Sequence, residues 1–164
     1  MKQRFEYEVL TECYQFHLQD EDTEEFPDWT RAAGERLLAV APGIIGVGTV
    51  RDVIVPVVVE ITDGEPDEDI GAWDQANECT IDLPSGRIVV AGCADDVADA
   101  ARIEVLPGAY RARVYYGNLG SRSKDGRSGN DYYEVVLWSA VPGPLLVLKQ
   151  ARERYPIYSA IGRD

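Results

Sequence analysis

The side chains with chemical potential in this chain are mostly carboxylates. They concentrate in two runs, Asp20-Glu21-Asp22-Thr23-Glu24-Glu25 and Asp63-Gly64-Glu65-Pro66-Asp67-Glu68-Asp69. Carboxylates at that density repel polyanions and draw in basic surfaces at long range. They also suit a hard cation, but neither run has the glycine-punctuated, alternating ligand pattern of a calcium loop. No spacing singles out a facing pair of acids for glycoside cleavage. His17 is the only histidine. That excludes a multi-histidine metal centre and leaves one ring for any nucleophile triad. Cys13, Cys79 and Cys93 lack the paired spacing of a zinc site or redox motif and are expected as reduced thiols. Gly46-Val47-Gly48 lacks the third glycine and following helix of a dinucleotide site. These residue types predict no catalytic residues, no metal and no cofactor: a protein that binds rather than an enzyme.

The whole chain supports that reading. It has 164 residues, 29 Asp and Glu against 16 Lys and Arg, and a net charge of −13. At 45% hydrophobic content the acid is carried on a folded body, not on a disordered tail. Such a field excludes nucleic acid and anionic membranes as partners and favours a basic protein. Residues 1–6 carry basic side chains with no apolar stretch behind them, so no secretory signal is read there. The longest apolar run, residues 53–59, is interrupted by Pro56 and is too short to span a bilayer. The expectation is one cytoplasmic domain over residues 1–164.

The elements that must position these groups read as short strands. Phe5, Tyr7 and Val9 alternate with Arg4, Glu6 and Glu8; Tyr14, Phe16 and Leu18 alternate with Gln15, His17 and Gln19. β-Branched runs at 44–50 and 53–61 flank Arg51-Asp52, which suits a tight turn. Pro56 points to a bulge or an edge in the second of them. Segments 78–83 and 87–91 flank Pro84-Ser85-Gly86 in the manner of a hairpin. Strands at 110–116, 132–138 and 145–148 complete an all-β, antiparallel β-sandwich of about eight or nine strands. One short helix is expected after Asp28, with Trp29, Ala33 and Leu37 on one face.

Aromatic residues gather in the last third. Alternation sends one member of each of the pairs Tyr115-Tyr116 and Tyr132-Tyr133 outward. Exposed tyrosines beside Arg111 and Arg113 would form an adhesive patch. They supply the second reading, a small-ligand or carbohydrate-binding sandwich that stacks its ligand on Tyr115, Tyr116, Tyr132 and Tyr133.

Four stretches carry a family resemblance: Tyr14-Gln15-Phe16, Asp28-Trp29-Thr30, Gly43-Ile44-Ile45-Gly46-Val47-Gly48-Thr49-Val50-Arg51 and Leu106-Pro107-Gly108-Ala109-Tyr110-Arg111. Their order and spacing resemble the competence protein J family, inhibitors of a bacterial DNA-entry nuclease. The match runs over residues 7–117 and leaves residues 125–164 poorly covered. The resemblance implies a small, mostly β protein that works by covering a site built for a polyanion, where negative charge supplies complementarity and a fast encounter. The expected partner is a basic nuclease or toxin. Asp20, Glu21, Asp22, Glu24 and Glu25 would occupy its cleft, Asp67, Glu68 and Asp69 would form a second contact, and Trp73 or an exposed tyrosine would be the apolar anchor.

Overall fold

Alternation along the chain resolves into two stacked sheets in a computed structural model that describes residues 2–157. The strands are β1 (Gln3–Leu10), β2 (Gln15–Asp20), β3 (Leu38–Ala41), β4 (Ile44–Gly48), β5 (Ile54–Thr62), β6 (Gln75–Leu83), β7 (Arg87–Gly92), β8 (Ala101–Glu104), β9 (Gly108–Gly117), β10 (Tyr132–Ser139) and β11 (Leu146–Lys149). The larger sheet has the order β1-β5-β10-β9-β6-β11 and the smaller β3-β4-β2-β7-β8. Inward residues of both build one core: Phe16, Leu18, Ile45 and Val47 from the small sheet meet Val57, Val114, Val135 and Leu137 from the large one.

The layout is the expected sandwich, with differences. One pair, β5 with β10, runs parallel. Pro56 lies one residue before that pairing begins, at Val57, so it sits where β5 has a partner on one side only. Neither expected hairpin forms. Arg51-Asp52 carries the chain from β4 in the small sheet to β5 in the large one, and Pro84-Ser85-Gly86 carries it from β6 back to β7. Both links are held from within. Arg51 is buried and paired with Asp131, whose other oxygen accepts from the Tyr133 hydroxyl at 2.6 Å. Gly86 takes φ +72°, and a Cβ there would meet the Val105 carbonyl at 2.7 Å, so only glycine makes that corner without strain.

The helix is shorter than expected. α1 (Arg31–Arg36) starts from Thr30, whose side chain accepts from the Ala33 amide, and stops at Leu37 in the left-handed conformation. Leu37 is buried all the same, and its carbonyl accepts from the Tyr116 hydroxyl.

Candidate partner-binding groove

The first acidic run leaves the end of β2 and crosses the outer face of the small sheet. Asp20 is buried: Oδ1 accepts from the Ser85 amide and hydroxyl, and Oδ2 from the Asp22 amide. It is an anchor between two turns, not a free charge. Glu21 is paired with Arg87 and Arg102. The Thr23 hydroxyl donates to the Pro42 carbonyl, fastening the run to the β3–β4 turn. Farther on, Pro27 and Trp29 pack so closely over Gly46 that a Cβ there would lie 2.9 Å from Pro27. What remains presented to solvent is Asp22, Glu24, Glu25 and Phe26, the last 81% exposed. The three acids make no ion pair among the described residues.

Beneath this strap lies a groove of about 320 Å³. Its floor is the outward face of β2 and its neighbours, with His17, Gln19, Ile44 and Ala91; Glu24, Glu25 and Phe26 form one rim and Asp95 the other. Gln15 Oε1 accepts from Trp29 Nε1 at 2.9 Å and lies 2.8 Å from His17 Nε2. Nε2 therefore carries the ring proton, and Nδ1 is left as the acceptor. Burial pushes the His17 pKa down to about 4, so the ring is neutral at physiological pH. Gln19 is only 7% exposed, and its amide makes no hydrogen bond among the described residues. Its polar atoms are not among the fully buried ones left without a partner, so the amide opens to the groove.

The second run lies on the opposite face of the sandwich, over the large sheet. There Glu78 sits between Arg111 and Arg113, and each guanidinium closes on one carboxylate oxygen at 2.7–3.1 Å. Arg113 reaches on to Glu65 at 2.5 Å and to the Pro66 carbonyl at 3.1 Å, which clasps the run to the sheet. Glu68 accepts from Trp73 Nε1, and Asp69 caps a short turn through the Gly71 amide. Asp67, Glu68 and Asp69 keep exposed surface, but Trp73 is turned inward, 5% exposed, against Tyr115 and Tyr132.

The same covering removes the expected tyrosine patch. Tyr115, Tyr116 and Tyr133 are fully buried and Tyr132 is half-buried. Tyr116 and Tyr133 face the core, while Tyr115, sent outward by alternation, is roofed by Trp73. Alternation assigns a side to each tyrosine; it does not reveal that the outer side is covered too. The other large cavities, about 500 Å³ beside Ile61, Leu106 and Tyr110 and about 520 Å³ beside Glu60 and Glu134, are not lined by that cluster.

The second of these holds a pair of acids that sequence spacing did not disclose. Glu60 on β5 and Glu134 on β10 become diagonal neighbours through the parallel pairing, Glu134 opposite Val58 and Glu60 opposite Val136. Burial, and then Glu60, push Glu134 up to about 8. Burial opposes the charge on Glu60, yet hydrogen bonds from Glu134 and Lys2 hold it below the usual range. One proton is thus shared, and Lys2 and Arg4 engage the two oxygens of Glu60 at 2.8 and 3.4 Å. The pair lines the cleft together with these two cations. No group of three or more His, Cys, Asp or Glu suited to a metal ion occurs among the described residues. No helix among them is long and apolar enough to cross a membrane.

Sequence reasoning assigned all five acids of the first run to a partner's cleft; Asp22, Glu24 and Glu25 are exposed, whereas Asp20 and Glu21 are tied into the fold. It missed Phe26, Gln19 and Asp95; the only signal for Phe26 was an aromatic residue standing directly after the acid.

Two solved structures share this architecture. ComJ from Bacillus subtilis, an inhibitor of the DNA-degrading activity of NucA, superposes with a TM-score of 0.67 at 17% identity, over 85% of this chain and 99% of that one. The crocagin biosynthetic gene J protein superposes with a TM-score of 0.59 at 13% identity, over 86% and 99%. At those identities the likeness is one of fold, and the fold is ComJ-like. No protein-family model matches the chain, and no curated protein matches it by sequence.

Proposed function

We propose that this protein is an inhibitor-type binding protein that blocks a basic protein partner, a nuclease or toxin, through the groove over the small sheet. The observation that carries the reading is the unpaired acid of Asp22, Glu24 and Glu25 set around an exposed Phe26. Exposed carboxylates not closed into an ion pair keep their field available to a partner, and an exposed aromatic ring beside them supplies an anchor that binding desolvates. The ComJ-like fold is consistent with this role. Asp20 and Glu21 act by holding the strap in place. Asp67, Glu68 and Asp69 lie on the far face, where a partner seated in the groove does not reach them; they serve as long-range charge. Phe26 takes the anchoring part expected of Trp73.

The test passes a lysate of the producing cells over the immobilised protein at low salt, elutes with salt, and assays the eluate for DNA degradation. The expected result is a retained DNA-degrading activity that added free protein suppresses in proportion to its amount. If the eluate degrades DNA equally well with and without the protein, or holds no such activity, the inhibitor reading is overturned.

A further inference from the structure

We infer that the groove over the small sheet is a receptor for one arginine side chain of the protein partner. The inference rests on the binding role just proposed and specifies its chemistry. Two kinds of observation converge in the groove. Glu24, Glu25 and Asp95 put carboxylates on both rims, a field that selects a cation. Independently, the floor holds the Gln19 amide, 7% exposed and without a hydrogen bond among the described residues, beside a His17 ring whose Nε2–H is committed to Gln15. The floor therefore offers two acceptors, the Gln19 carbonyl oxygen and His17 Nδ1, with the Gln19 NH2 as its one donor group, below rim carboxylates that can accept from it. An occupant must bring several donors and a positive charge on a stem that tolerates Ile44 and Ala91.

Guanidinium meets these demands better than ammonium. Its planar fork presents five N–H donors in fixed directions, so it can satisfy floor and rim together, and it stacks on aromatic faces such as that of Phe26. A lysine would bring the charge but concentrate its donors at one point and give up more hydration. A neutral polar ligand would leave the rim carboxylates uncompensated. Residues of partners that grip phosphate are commonly arginines, so an inhibitor that captures one would occupy a group its target uses for nucleic acid.

The test titrates the full-length protein with N-acetyl-L-arginine methylamide, followed by backbone amide shifts in two-dimensional NMR. The citrulline counterpart serves as the uncharged isostere and the lysine counterpart as the alternative cation. The expected result is saturable movement centred on Gln19 and Ala91 with millimolar affinity, at least fivefold weaker for lysine and absent for citrulline. Gln19→Leu should weaken the arginine probe at least fivefold. Glu24→Gln with Glu25→Gln, at exposed positions that do not threaten folding, should do the same. Saturable binding of citrulline equal to arginine, or movement confined to the Glu60–Glu134 cleft, would overturn the inference. The two readings fail separately. A probe that binds the groove while no lysate nuclease is inhibited removes the function and leaves the receptor. Inhibition that saturating probe and Gln19→Leu both leave untouched removes the receptor and leaves the function.

Discussion

The two acidic runs are nearly equal in length and composition, and each ties one acid to arginine and leaves at least three others exposed, yet the fold sets different neighbours beside them: an exposed Phe26 at the first, an inward-turned Trp73 at the second. The run at 63–69 lies over Arg111 and Arg113, whose charge is answered by Glu78 from below and Glu65 from above. The run at 20–25 spends Asp20 and Glu21 on anchoring, keeps Asp22 near Arg87, and presents Glu24 and Glu25, without an ion pair among the described residues, at the rim of a groove. Acid counted along a chain is therefore not acid available to a partner. Availability depends on which acids the fold ties down, as it does Asp20, Glu21 and Glu65, and which it leaves exposed.

The comparison breaks most readily on the closed side. Replacing Glu78 by Gln leaves two arginines facing each other with little exposure, and losing one member of a buried ionic cluster costs about 3 kcal/mol or more. Urea unfolding should show that loss, while the arginine probe binds the folded variant as before. A loss under about 1 kcal/mol would mean that the clasp over the large sheet is not electrostatic.

Next in size is the proton shared by Glu60 and Glu134. An unfolded glutamate ionises near 4.5, whereas Glu134 in the native state holds its proton up to about 8. Between those values the native state binds the extra proton, so stability falls as pH rises through the window and the loss is complete above it. Glu134→Gln should flatten that slope and exceed the parent by about 2 kcal/mol at pH 9, discounted for partial solvation. Parallel pH profiles for parent and variant would show that the pair is not coupled.

On the open side, neutralising Asp22, Glu24 and Glu25 together should slow association with a basic partner about tenfold at low salt. Folding stability should change by under ~0.5 kcal/mol, as for other exposed substitutions. The same treatment of Asp67, Glu68 and Asp69 should slow association only about twofold, since that charge acts at a distance. Equal effects from the two triples, read by stopped-flow at several salt concentrations, would erase the distinction between the runs.

The smallest effect belongs to His17. Its native pKa of about 4 lies below the ordinary 6.5, so the unfolded chain takes up a proton that the native ring refuses. The stability this ring contributes is fully present above pH 6.5 and is lost as pH falls towards 4. His17→Gln should reduce that acid sensitivity by about 1 kcal/mol at pH 4.5, seen as a shift in the urea midpoint. No change would mean that the ring is solvated and the groove more open than its geometry indicates.

Much of the fold was legible along the chain. Nine strands were readable from alternation, and the two that were missed, β3 and β8, are four-residue strands at the edges of the small sheet. Four residues are too few to imprint a period, and β3 is covered on both faces, so it shows no alternation at all. The turn signals at Arg51-Asp52 and Pro84-Ser85-Gly86 were real, but turn chemistry specifies a reversal and not which sheet the next strand joins. That decision rests on long-range contacts, among them Arg51 with Asp131 and Asp20 with Ser85.

For the site, sequence by itself determined the sign of the charge and the side of β2 on which His17 and Gln19 stand. These are local properties, set by residue type and a period of two. Only tertiary structure decided that Trp73 and Tyr115 stack against each other, that Glu60 meets Glu134, and that Gln19 and His17 share a groove with Asp95 more than seventy positions away. Pairing of strands distant in sequence brings those groups within reach. A one-dimensional pattern holds the face of each residue but not its neighbour across the sheet.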